Sequence, residues 1–67
     1  MEFEMTSGDT LGTAVLRLRE AGYVDASAGA SRVGDPMHVL SVSVEDASAR
    51  EVVWRIVREA DPGARAL

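Results

Sequence analysis

The chain has no cysteine, no lysine, no asparagine and no glutamine, and its 67 residues include one tryptophan, one tyrosine and one phenylalanine. Without cysteine there are neither disulfides nor thiolate metal sites, the usual staples of very small domains, and nothing points to an oxidising compartment. A single core of this size supplies only about 3–5 kcal/mol. One domain is therefore the limit, and association with another chain is the remaining common source of stability. No apolar run approaches the roughly 20 residues that cross a bilayer, and Met1-Glu2-Phe3-Glu4 is acidic where a secretory signal is basic. The expectation is a cytoplasmic chain with no membrane partner. Net charge is −4, with seven basic residues against eleven acidic ones. Because attraction to phosphates dominates nucleic-acid affinity, this balance argues against nucleic acid as a partner. The missing residue types beside many Ala, Val, Arg and Gly look like a GC-rich coding bias, which concerns origin and not mechanism.

What is present is ordered by period. Met1, Phe3 and Met5 alternate with Glu2 and Glu4, the pattern of a half-buried strand. Thr6-Ser7-Gly8-Asp9 carries turn chemistry and N-cap oxygens, so a helix is expected to begin near Asp9 or Thr10. Leu11, Ala14, Val15 and Leu18 form its apolar face, and Gly22 stands where a left-handed cap closes it. From Tyr23 the period returns to two, with Val24, Ala26, Ala28 and Ala30 against Asp25, Ser27, Gly29 and Ser31. Such small residues predict a weak edge strand, bulged at Gly29. Gly34-Asp35-Pro36 reads as a turn, and His38 to Val44 as the clearest strand, with Leu40, Val42 and Val44 on one face.

Ser48 with Glu51 three residues on fits a capping box for a second helix. Its stripe is Ala49, Val52, Val53, Ile56, Val57 and Ala60, and Asp61-Pro62-Gly63 stops it. Ala64 to Leu67 allows only a stub of a last strand. The segments VLRLREAG, from Val15, and VWRIVREADPG, from Val53, nearly repeat each other. The order strand, helix, strand, strand, helix, short strand predicts an α+β, ferredoxin-like split arrangement: two helices on one face of an antiparallel sheet, with the last strand short or absent.

Few residues carry chemistry. The expected open sheet face, Glu2, Glu4, Asp25, Ser27, Ser41 and Ser43, lacks the aromatic and basic groups of a single-strand RNA platform. Its carboxylates read as a flat solvated or dimerising face, because acid–base work needs a cleft and a perturbed pKa. His38 stands alone, without a metal-ligand pattern, and no nucleophile elbow occurs among the serines. In the first loop Gly8 and Gly12 bracket a helix start where free N–H groups can hold an anion. The preferred account of Gly12 is close packing of the helix on a strand, which would offset the cost of glycine inside a helix. Trp54 lies about 120° from the centre of its helix's stripe on a 100° wheel. It either meets Leu16 across the groove between the helices or points outward as an aromatic interface anchor.

The loop Ser7-Gly8-Asp9-Thr10-Leu11, the helix VLRLREAGY, and the strand Val39 to Val44 before VWRIVREADPG resemble an ACT-type or ACT-like module over nearly the whole chain. That family usually carries Pro-Gly before a Leu in its first loop. Here Ser7 replaces the proline and Asp9-Thr10 places an extra residue before Leu11. The resemblance implies a regulatory module that dimerises and holds a small ligand at its first loop. By that analogy Gly8, Asp9, Thr10 and Leu11 are ligand contacts.

The reading that follows is a small non-enzymatic homodimeric module for regulation or protein interaction, with Trp54, Leu16 and Ala26 at its interface. It has no catalytic residues, no metal and no cofactor. A protein partner and a small ligand are the other partner classes. The alternatives are a subunit of a larger assembly, and a small acylphosphatase-like enzyme. The enzymes of that kind rely on an Arg and an Asn, and this chain has no Asn.

Overall fold

The computed structural model describes residues 1–29 and 38–67. In chain order these form β1 (Glu2–Met5), α1 (Gly8–Glu20), β2 (Ser27–Ala28), β3 (His38–Ser41), α2 (Ala47–Ala60) and β4 (Arg65–Ala66). The strands make one sheet in the order β2-β3-β1-β4, and every pairing is antiparallel. The expected α+β class, with two helices and a four-stranded antiparallel sheet, is present. The expected turn at Gly34-Asp35-Pro36, and Ala30 and Ser31 of the second strand, lie outside the described residues.

β1 is central because its alternation serves two neighbours at once. Phe3 stands opposite both Leu40 and Ala66, and Glu4 opposite both Val39 and Arg65. Phe3, Met5, Leu40 and Val42 join Ala14 and Leu18 of α1 and Val53 and Val57 of α2 in one core. The glutamates of β1 share the other sheet face with Ser27, Ser41, Val39 and Arg65. Glu4 and Arg65 form a cross-strand pair of opposite charge, an arrangement worth about 0.2–1 kcal/mol in antiparallel sheets.

α1 begins one residue earlier than its composition suggested. Ser7 is the N-cap: its side chain accepts from Thr10 N–H, and Thr10 returns a bond to Ser7 N–H, so the capping box expected in the second helix lies in the first. At the other end Gly22 takes a φ of 105°. Tyr23 N–H reaches Leu18 C=O at 2.9 Å and Gly22 N–H reaches Arg19 C=O at 3.1 Å. This closure needs a left-handed residue, which glycine supplies without a Cβ clash.

α2 starts two residues earlier than a Ser48 cap implies. Asp46 is the N-cap, its carboxylate accepting from Ala49 N–H at 2.7 Å. A charged acceptor at a helix N-terminus also gains from the dipole, and that favours Asp46 over the downstream serine.

Two strands are shorter than predicted. Among the described residues β2 is Ser27 and Ala28, and it starts late because Ala26 N–H turns back to Tyr23 C=O at 3.1 Å and leaves Val24 79 % exposed. Regular pairing in β3 ends at Ser41, opposite Glu2, where β1 begins. Beyond it Asp25 takes the next free donor, Ser43 N–H, at 2.9 Å. Hydrogen bonding by Ser43, hydroxyl and N–H, holds the Asp25 carboxyl below the usual aspartate range. The last strand does form, as the two-residue β4.

Gly12 departs from its expected role. A Cβ built there meets nothing within 4 Å, and the residue is exposed in the middle of α1. No close packing offsets its conformational freedom in the unfolded chain. Gly12→Ala is therefore expected to stabilise the fold by about 0.5–1 kcal/mol, read as a raised urea midpoint at unchanged slope. A destabilising result would show that a Cβ at position 12 is crowded, against the open space around it.

Candidate functional site

Two clusters of polar and aromatic side chains stand out, and the first is internal. Asp61 follows the last turn of α2 and is 3 % exposed. Its Oδ2 accepts from Thr6 N–H at 2.7 Å, from Thr6 Oγ1 at 2.8 Å and from Thr10 Oγ1 at 2.8 Å. Its Oδ1 accepts from Gly63 N–H at 3.1 Å, the short Asx turn expected where Asp precedes Pro-Gly. One carboxylate thus ties the end of α2 to the turn between β1 and α1. Its charge is unfavourable beside the C-terminus of its own helix and favourable beside the N-terminus of α1. Gly63 belongs to the same knot, since a Cβ there would stand 2.7 Å from the Thr6 methyl.

Burial pushes the Asp61 carboxyl up. The N–H of Thr6, the hydroxyls of Thr10 and Thr6, and the N–H of Gly63 outweigh it and hold the group below its ordinary value of 3.8. The native state therefore binds the proton less readily than the unfolded chain does. The contribution of Asp61 is complete above that ordinary value and is lost as pH falls through the lower native one. Asp61→Asn removes this term. The stability gap between the native chain and Asp61→Asn is expected to be widest near neutrality and to shrink below about pH 4. Urea unfolding at several pH values measures it, and a gap independent of pH would mean that the Asp61 carboxyl binds its proton equally well in the native and unfolded chain.

Of the four residues read from sequence as ligand contacts, this knot uses Thr10. Thr10 Oγ1 has one proton to give; Asp61 Oδ2 lies at 2.8 Å and Ser7 C=O competes at 3.0 Å. Leu11 packs against the core, while Gly8 and Asp9 remain exposed on the first turn of α1. His38 is exposed at the start of β3, with its ring 3.8 Å from where a Gly8 Cβ would stand. Among the described residues no group of three or more His, Cys, Asp or Glu side chains could hold a metal ion.

The second cluster surrounds Trp54. The indole is half-buried and stacks on Phe3, with ring centroids 5.2 Å apart and planes 10° from parallel. The Arg58 guanidinium lies 5.5 Å from the indole centroid, within cation–π range. A shallow groove of 480 Å³ runs along the helix, lined by Glu51, Trp54, Arg55, Arg58 and Glu59. On the sheet side a smaller hollow of 190 Å³ is lined by Met1, Phe3, Arg50, Glu51, Trp54 and Ala66.

The expected stripe is broader than the fully buried one: Val52 is 41 % exposed, and Ala49, Ile56 and Ala60 are only partly buried. The fully buried residues of α2 are Val53 and Val57. A stripe centred between them brings Trp54 to about 80° on a 100° wheel, close enough for its ring to fold over β1. The anticipated equivalence with Leu16 fails: Leu16 is 60 % exposed and lies outside the core, while Trp54 packs on Phe3. Ala26, the third interface candidate, is fully buried and offers a partner nothing in the folded chain.

No family model, curated protein or solved structure matches this chain. The Asp61 knot has its polar atoms turned inward on each other, whereas the Trp54 groove presents an aromatic face, two guanidinium groups and two carboxylates outward. Among the described residues no helix is long and apolar enough to cross a membrane. Asp61 itself went unnoticed in sequence except as a stop; the Asp-Pro-Gly run signals its turn, but nothing local announces its partners 51 and 55 residues away.

Proposed function

We propose that this chain is a small non-enzymatic module that acts as a homodimer in regulation or protein interaction, built on a ferredoxin-like split β-α-β plan of the ACT-like kind. The observation that carries the reading is the outward surface of α2 around Trp54. Tryptophan and arginine are the side chains most often found at the energetic centre of protein interfaces. Here a half-buried Trp, fixed from below by Phe3 and flanked by Arg58, is held rigid before any partner arrives. Such preorganisation lowers the ordering cost of association.

The strand order supports the fold reading, since β4-β1-β3-β2 with all pairs antiparallel is what two interleaved β-α-β halves generate. Both edge strands, β2 and β4, are only two residues long. Short edges pair poorly with another sheet, so the helix surface is the better candidate for contact. In this reading Thr10 serves the fold through Asp61.

Light scattering of the purified protein over a range of concentrations tests the proposal. A mass rising from that of the 7.1 kDa chain to twice that value supports it. A folded monomer at every concentration overturns the homodimer.

A further inference from the structure

We infer that the partner seated on the Trp54 groove is a second copy of this chain, with the two α2 helices antiparallel about a twofold axis passing between Trp54 and Arg55. This rests on the homodimer reading above and adds to it a surface and a register. Glu51, Trp54, Arg55, Arg58 and Glu59 line one groove. Their spacing of three and four residues places them on one side of the helix, and Arg50 lines the adjoining hollow.

A twofold axis perpendicular to a helix reverses its order, so each residue before the axis meets one the same number of steps after it. With the axis between Trp54 and Arg55, Trp54 faces the partner's Arg55. Glu51 faces the partner's Arg58, the two lying within about 20° of each other on a 100° wheel. Each of these contacts is an opposite-charge pair or an arginine on an indole, and symmetry makes each occur twice. Half a residue either way destroys the match. An axis through Trp54 sets Arg50 against the partner's Arg58. An axis through Arg55 sets Glu51 against the partner's Glu59 and Arg55 against itself. The order of charges along α2 is thus self-complementary in the register that also buries the tryptophan.

α2 has 14 residues and spans about 21 Å. A single helix pair of that length lies at the small end of specific interfaces, below about 1,200 Å². The dimer is accordingly expected to dissociate in the range of about 1–100 µM and to weaken with added salt.

The test is a charge swap read by sedimentation equilibrium from about 1 µM to 1 mM. Glu51→Arg places two arginines opposite each other, and Arg58→Glu places two glutamates opposite each other. Each is expected to weaken the dimer at least about tenfold, and the double variant to recover to within about threefold of the native chain. Both residues are exposed, so circular dichroism should be unchanged. Should either variant misfold, Glu51→Gln and Arg58→Gln probe the same pair by removing its attraction without adding a repulsion. A double variant as weak as the two singles combined overturns the register. A dimer indifferent to both single changes overturns this surface and leaves the homodimer standing. A native chain that stays monomeric throughout overturns both.

Discussion

Asp61→Ala is expected to cost about 3 kcal/mol, most of what a domain of this size possesses. The estimate follows from what the carboxylate does. It is 3 % exposed and accepts from two backbone N–H groups and two hydroxyls, all of which lose this acceptor when the side chain is cut back. A hydrogen bond to a charged acceptor is worth about 1.5–3 kcal/mol, and a buried donor left unpaired costs about 1–3 kcal/mol. The threonine hydroxyls can rotate toward other acceptors, which limits the loss. Thr6 N–H, bonded at 2.7 Å, cannot turn away without moving the β1–α1 turn. For a domain of 60–100 residues each 1 kcal/mol shifts Tm by about 4–8 °C, so a drop of roughly 12–24 °C is expected by circular dichroism. Thr10→Val removes one of the four bonds together with the capping-box bond from Ser7 N–H, and should cost about 1–2 kcal/mol. Equal losses from the two variants would show that the carboxylate is not the centre of the knot.

That knot also marks where sequence reading reaches its limit. Periodicity located both helices and the central strands, because Leu11, Ala14, Val15 and Leu18 carry their own 3.6-residue signal and Phe3 and Met5 a period of two. It could not assign Asp61 a partner, since Thr6 and Thr10 are brought near it only when α2 packs beside α1. The same holds for the caps. Asp46 and Ser48 are both acceptable N-cap residues, and the choice depends on which carbonyls the chain has already satisfied upstream. β2 shrank to two residues because alternation of alanine and serine buries too little apolar surface to hold a strand against the turn that Tyr23 and Ala26 make. Gly12 was read through the usual reason for a helical glycine, and open space around it removes that reason.

The surface around Trp54 was half legible. Composition singled out the only tryptophan, and the wheel placed it off the main stripe. The missing information was the identity of the apolar residue that the fold leaves outside. Val52 and Trp54 flank the buried pair Val53 and Val57 on opposite sides. One aromatic neighbour decides between them: Phe3 lies under the Trp54 side of the helix, where β4 pairs with β1. An unpaired valine is left exposed at small cost, whereas the indole gains both a stacking partner and an arginine.

Phe3→Ala tests that arrangement and is expected to have the largest effect of any single substitution. Phe3 is fully buried, paired on both sides in the sheet, and forms the floor beneath Trp54. Truncating a buried phenylalanine costs about 3–5 kcal/mol through lost transfer energy and the cavity left behind. That range meets the whole stability expected of the domain, so the variant should be largely unfolded at 25 °C. Phe3→Leu keeps most of the volume and should remain folded with a loss of about 1–1.5 kcal/mol. It also separates core from surface: the backbone stays in place while the indole loses its stacked ring. The fluorescence of Trp54 should then shift to the red as water reaches it, and the change should exceed the fraction unfolded by circular dichroism. If the spectrum is unchanged in folded Phe3→Leu, the indole is held by Arg58 and the helix alone, and the floor under the proposed interface is not Phe3. If it shifts, and the dimer of the charge-swap experiment weakens with it, one stacked pair links the core of the fold to the surface that meets the second copy.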